Sequence, residues 1–226
     1  MIRLRKSQAL QREIRQDHPT ELSIPTWTLV GEEIKAGRTK EALNFMSYGC
    51  EEERKMHDIL VQLVDGLITQ VAHFDEKEIE KSWRQILDPF VRSRVALKLS
   101  AEETLQLDAE FARSHFSDDL TVVEEPDRYV MTCNPCGSGG RLWRTKSVEK
   151  TKKAYTWSWG KSGVPYYCTH CPLMWEIMPM EIQGYPIRIT LLGDRPEDPC
   201  VHLHYKKPEL IPEKYFTRVG KTKTIK

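Results

Sequence analysis

Four cysteines in two matched pairs carry the clearest chemical spacing in the chain. Cys133 and Cys136 flank Asn-Pro, and Cys168 and Cys171 flank Thr-His. Each C-x-x-C pair sets two thiols on one tight turn, and two such turns facing each other supply a tetrahedral four-sulfur site for zinc. Binding there would draw the thiols into their thiolate forms and tie two distant loops together. The same thiolates suit a single iron or an iron–sulfur cluster, and the spacing does not separate these from zinc. A redox-active dithiol fits less well, because no βαβ pattern surrounds either pair. The plain alternative is a set of unpaired buried cysteines.

A second group of residues lies near the C-terminus, in "CVHLHYKK". Period-two alternation on a strand puts Cys200, His202 and His204 on one face and Val201, Leu203 and Tyr205 on the other, towards a core. A Cys-x-His-x-His face can supply a nucleophile and a base, or a second metal site. Its alternative is a solvated polar face. In "CGSGGR" the glycines and Ser138 offer backbone N–H groups to an anion, with Arg141 or Arg144 closing the clamp. The simpler account is that these glycines permit the sharp turns of a metal knuckle. Between the cysteine pairs, lysines interleave with Tyr155, Trp157 and Trp159. That mixture suits either stacking on single-stranded nucleic acid or a lid over a small-molecule pocket, and the low net charge favours the lid. Glu53 and His57 stand at i, i+4 on one helix face beside Asp58, a spacing better explained by a surface ion pair than by a metal site.

These residues need elements to hold them. Up to about residue 115 the chain reads as helical: Leu60, Leu63, Val64 and Leu67 recur at helical spacing with Ile68 beside them, and Ser100 with Glu103 forms a capping box. Thr39 and Asp75 are further candidate caps. The opening stretch, "MIRLRKSQALQREIRQDHP", reads as a surface helix; it lacks the apolar segment of a secretory signal, and Glu13 and Asp17 argue against a transit peptide. After "SDDL", β-branched residues broken at Pro126-Asp127 predict a hairpin, and "YPIRITLL" and "CVHLHYKK" predict two more strands joined by "GDRPEDP". "PLMWEIMPMEIQG" predicts a short helix interrupted at Pro179 and closed by Gly184. The expected fold is α+β: a helical region over 1–115, then a small antiparallel sheet with a four-cysteine metal knuckle over 116–226, the two being separate regions or one continuous domain.

The 226 residues are 39% hydrophobic and 30% charged, as in ordinary globular proteins, and the formal net charge is only +1. Nucleic-acid binders usually carry a strong basic excess, which disfavours that class. No apolar run is long enough to cross a bilayer. A cytoplasmic protein is expected, and there close cysteine pairs read as metal or redox chemistry.

The C-terminal third, roughly residues 165 to 206, resembles the small-molecule-binding domains of the L-2-amino-thiazoline-4-carboxylic acid hydrolase-like group. It is also similar to the vinyl-reductase-type sensor domains. The shared order is a Cys-containing helix, a Gly, a strand, then a Gly-Asp turn leading to a Cys on the final strand, matched here by Gly193, Asp194 and Cys200. His202 and His204 stand where the group usually has aromatic residues, and "GDRPEDPC" is longer than its turn. The resemblance implies a cytosolic α+β domain with an interior pocket for a small organic molecule, sometimes with zinc near its mouth. The combined expectation is a zinc-containing enzyme that hydrolyses or ring-opens a small organic molecule. Cys200, His202 and His204 would be catalytic, and Ser138, Arg141 and Trp157 would bind substrate. Cys133, Cys136, Cys168 and Cys171 would bind metal. The alternatives are a non-catalytic metal-stabilised binding module and an iron or iron–sulfur redox protein. A homo-oligomer is compatible with the sequence.

Overall fold

The computed structural model describes residues 4–8, 10–15, 19–117 and 119–225. The chain is α+β and divides into two compact units, Met1–His57 and Asp58–Lys226, so the change in composition near residue 115 falls inside the second unit.

The first unit holds a correction. Where a surface helix is expected, β1 (Leu4–Ser7) and β2 (Arg12–Arg15) form an antiparallel hairpin. Asp17 and the other residues of that stretch outside the strands and their turn lie largely outside the described residues. Two tertiary anchors outweigh the helix propensity of this charged segment. Leu4 packs with Ile24 against Leu29, Val30 and Phe45. The Arg15 guanidinium donates to the carbonyls of Ile24 (2.7 Å) and Glu21 (3.3 Å) and to Thr26 Oγ1 (3.1 Å). Helix α1 (Thr26–Lys35) follows, and Trp27 donates its indole N–H to Glu53 at 2.5 Å, which gives that carboxylate a structural partner.

Helix α2 (Thr39–Phe74) begins in the first unit and ends in the second. Its buried residues there are Val61, Ile68 and Ala72, whereas Leu60, Leu63 and Leu67 are exposed. The helix is apolar on two faces, so spacing identifies the helix but not the side that is buried. Helix α3 (Glu78–Ala96) buries Ile79, Trp83, Leu87 and Val91, four residues apart and on one stripe. Helix α4 (Ala101–Ser114) starts on the expected capping box, with Ser100 and Glu103 satisfying each other's backbone N–H groups.

The sheet has the order β3 (Asp119–Glu124), β4 (Arg128–Asn134), β6 (Cys200–Tyr205), β5 (Ile189–Leu191), antiparallel throughout. On one face Val130, Ile189, Leu191, Val201, Leu203 and Tyr205 join the main core of this unit. The other face carries Met131 and Cys133 and is covered by Leu105, Ala109 and Ala112 of α4. A π-helical run, Pro172–Ile177, leads into α6 (Met178–Gln183), which Gly184 closes in the left-handed conformation (φ 86°).

The aromatic loop is not a lid. Trp157 and Trp159 are 2% and 6% exposed and lie in the main core, with Tyr155 stacked on Trp157 at 4.4 Å. Buried Glu176 accepts from Trp159 Nε1 (2.9 Å), Thr190 N (2.9 Å) and Arg218 Nη2 (2.6 Å), which fixes the loop, the sheet and the C-terminal segment to one carboxylate.

Candidate functional site

The floor of the site is set by α4 and β6. Cys200, His202 and His204 share a strand face, but α4 covers it, and the two histidines are 5% and 1% exposed. A solvated polar face is therefore ruled out. Asp108 projects from the α4 stripe that also carries Leu105, Ala109 and Ala112, and it is buried. Its carboxylate pairs with the buried Arg188 guanidinium, lies 3.0 Å from His204 Nε2, and lies 3.2 Å from His202 Nδ1 without the alignment of a hydrogen bond. Arg188 also lies over the Trp175 ring, 4.2 Å from its centroid. Burial acts to raise the Asp108 pKa. The Arg188 charge and the two histidines outweigh it and hold the carboxyl well below the ordinary range. Burial, with Arg188 adding to it, pushes His202 below the usual imidazole value, so this ring is neutral at pH 7.

The thiols form the wall above this floor. Cys133 on β4 stands opposite Cys200 on β6 in the sheet register. The chain then turns through Cys136 into α5 (Gly139–Thr145). This turn needs its glycines: a Cβ on Gly137 would lie 1.9 Å from the His115 carbonyl oxygen, and one on Gly139 would lie 2.7 Å from Cys168 Sγ. The second pair sits where a 3-10 turn, Tyr167–Thr169, meets the π-helical run. His170 is held there by Tyr167 O at 2.6 Å, and its Nε2 lies 3.4 Å from Cys171 Sγ.

Cys136 is the electrostatic centre of this wall. Its sulfur lies 3.5 Å from Ser138 Oγ, and the neighbouring Cys200 thiol first, with Ser138 and the local backbone N–H groups, holds its pKa well below that of an ordinary thiol despite burial. Its neighbours move the other way. Burial, with the Cys136 charge adding to it, pushes Cys133 and Cys171 up to about 12, and Cys168 also rises. Cys200 rises through the neighbouring Cys136 thiol and through burial.

Floor and wall enclose a cavity of about 190 Å3. Its polar lining includes Cys133, Cys136, Cys171, Asp108, Arg188 and His202, and its apolar lining Trp83, Phe111, Met174 and Trp175. Among the described residues, no group of three or more His, Cys, Asp or Glu side chains stands in a position to hold a metal ion.

No protein family, curated protein or solved structure matches this chain.

The structure brings Ser138, Cys133, Cys136, Cys171 and His202 to one cavity, with Cys168, Cys200 and His204 buried nearby. It places the other candidates elsewhere. Arg141 donates to Asp58 Oδ1 (3.1 and 2.8 Å) and to the carbonyls of Phe116 (2.7 Å) and His115 (3.0 Å), at the end of α4. Arg144 donates to the carbonyls of Pro196 (2.7 Å) and Glu197 (2.9 Å), which holds the β5–β6 connection. Trp157 belongs to the core. Asp108, Arg188 and His170 also line the cavity, and no motif spacing marks them in the sequence. Two of them leave a trace in sequence: Asp108 interrupts an apolar helical stripe, and Arg188 interrupts the apolar run "YPIRITLL".

Proposed function

We propose that the protein is a thiol-dependent enzyme that hydrolyses an acyl or ring-closed acyl bond in a small organic molecule held in the 190 Å3 cavity. The observation that carries this reading is the placement of Cys136, whose Sγ lies 3.5 Å from Ser138 Oγ, in a cavity that also gathers Cys133, Cys171, His170 and His202. In the proposed cycle, Cys136 Sγ adds to the carbonyl carbon, and the bond to the leaving atom breaks as Cys200 gives that atom its proton. Water then attacks the thioester, passes one proton back to Cys200, and releases a carboxylic acid and the Cys136 thiolate. Asp108, Arg188 and the two histidines are positioning residues, since they fix β6 and hence Cys200. The resemblance of the C-terminal third to small-molecule-binding domains would imply a cytoplasmic enzyme of this kind.

A second reading rests on a separate observation: both C-x-x-C pairs supply thiols to one cavity, where burial first, with the charge of neighbouring thiols adding to it, opposes ionisation of Cys133, Cys168 and Cys171. A zinc or iron ion would remove that opposition, because a bound cation favours thiolates. The four cysteines would then form a structural knuckle beside the pocket.

One experiment separates the two. Protein purified without chelator is analysed for metal, then labelled with iodoacetamide at pH 6 and mapped by mass spectrometry. The thiol enzyme predicts metal-free protein in which Cys136 is modified faster than exposed Cys50. Stoichiometric metal with all four paired cysteines protected supports the knuckle instead. Metal-free protein whose Cys136 reacts no faster than Cys50 sinks the nucleophile.

A further inference from the structure

A second cavity of about 200 Å3 lies between the corner joining α3 to α4 and the β5–β6 edge of the sheet. Its walls carry four cations, Arg94, Lys98, Arg188 and Lys206, and no carboxylate. Two of these are neutralised from outside the cavity: Arg188 pairs with Asp108, and Lys206 with Glu124 at 2.6 Å. Arg94 is different. Its Nε is buried and has no hydrogen-bond partner among the described residues. Burial lowers its pKa below the ordinary arginine range, with nearby Arg188 acting in the same direction and Asp108 against it. A buried Nε without a partner is costly, and a carboxylate that accepts from it and from a neighbouring Nη in a fork removes that cost. The adjacent Lys98 is exposed and adopts a left-handed backbone (φ 50°), a conformation that non-glycine residues rarely hold outside functional or tightly constrained turns.

The remaining wall is apolar, with Val95, Ile189 and Leu203 among its residues. A cavity of about 150 Å3 in a protein core accommodates a benzene ring, so this one has room for a ring or short chain together with an acid group.

We propose that this second cavity binds a small organic monocarboxylate, with its acid group on Arg94 and Lys98 and its apolar body against Val95, Ile189 and Leu203. The site is separate from the thiol cavity and does not rest on the reading given for it; Arg188 lines both.

The test is calorimetric titration of the full chain with hexanoate, benzoate, hexanamide and inorganic phosphate. Hexanoate and benzoate are expected to bind saturably. Hexanamide, which lacks the charge, should bind about tenfold more weakly or worse, and Arg94→Met should lose about tenfold or more in carboxylate affinity. Phosphate, which lacks the apolar body, should also bind more weakly. Cys136→Ser should bind carboxylates as the wild type does, which keeps this result independent of the thiol chemistry. If Arg94→Met fails to fold, Lys98→Asn decides, because the position is exposed and asparagine tolerates its backbone; carboxylate binding should weaken. Absence of saturable carboxylate binding, equal affinity for hexanamide or phosphate, or full affinity in a folded Arg94→Met or Lys98→Asn variant would overturn the proposal.

Discussion

At the scale of single residues, Asp108 has the largest consequences. One carboxylate faces Arg188, His202 and His204, and all four side chains are buried. Removing one partner of a buried ionic group leaves the others desolvated and uncompensated, which typically costs about 3–5 kcal/mol. Asp108→Ala should therefore destabilise the second unit by about that amount, while Asp119→Ala on the exposed edge strand β3 should change stability by about 0.5 kcal/mol or less. Urea unfolding followed by tryptophan fluorescence measures both. Equal effects would mean that the Asp108 network contributes nothing beyond its packing. The same burial changes what can be asked of His202 and His204. A face turned away from Val201 and Leu203 does not mean a face turned to water, because α4 provides a second layer.

At the scale of elements, α2 shows what periodicity can and cannot give. Leu67 and Ile68 are neighbours of nearly equal hydrophobicity, yet one is 68% exposed and the other 2%. Ile68→Ala should cost about 2–5 kcal/mol by opening a core cavity, whereas Leu67→Ala should cost about 0.5 kcal/mol or less. Thermal melting of the two variants checks the rotation of the helix, and a larger loss for Leu67→Ala would reverse it. Elements whose signals are local were legible from sequence: the Ser100–Glu103 capping box, the hairpin broken at Pro126-Asp127, the Gly184 stop and the alternation in β6 all take the expected form. What was not legible depends on long-range partners. The β1–β2 hairpin needs Leu4 in a small core and Arg15 on distant carbonyls, and the aromatic loop is drawn inwards because Glu176 accepts from Trp159. At the candidate site, the cysteines and the β6 face were visible as spacing. Asp108 and Arg188 became meaningful only once α4 had been placed over the sheet.

At the scale of the whole molecule, the buried ionisable groups couple folding to pH. His202 is held neutral, its folded pKa lying below the unfolded imidazole value of about 6.5. Above that value both states are neutral and the residue costs nothing. As pH falls through about 6.5 the unfolded chain takes up a proton that the folded chain refuses, so stability is lost towards acid until the folded pKa is reached. Burial lowers His170 as well and gives it the same sign. Glu176 has the opposite sign: burial raises its carboxyl despite Arg218, so this group favours the fold as pH falls. Asp108, held low, contributes stability that is lost only at more acid pH, below the unfolded aspartate value of about 3.9. A difference between two proteins isolates one of these groups. Wild type and His202→Gln are melted in urea at pH 7.5 and 5.5, where the Glu176 and His170 contributions cancel in the comparison. The wild type should lose about 1 kcal/mol more than the variant over this range, since a single group changes stability by at most about 1.4 kcal/mol per pH unit. Parallel losses would show that His202 takes up its proton equally in both states, and that the ring is not held neutral between α4 and the sheet.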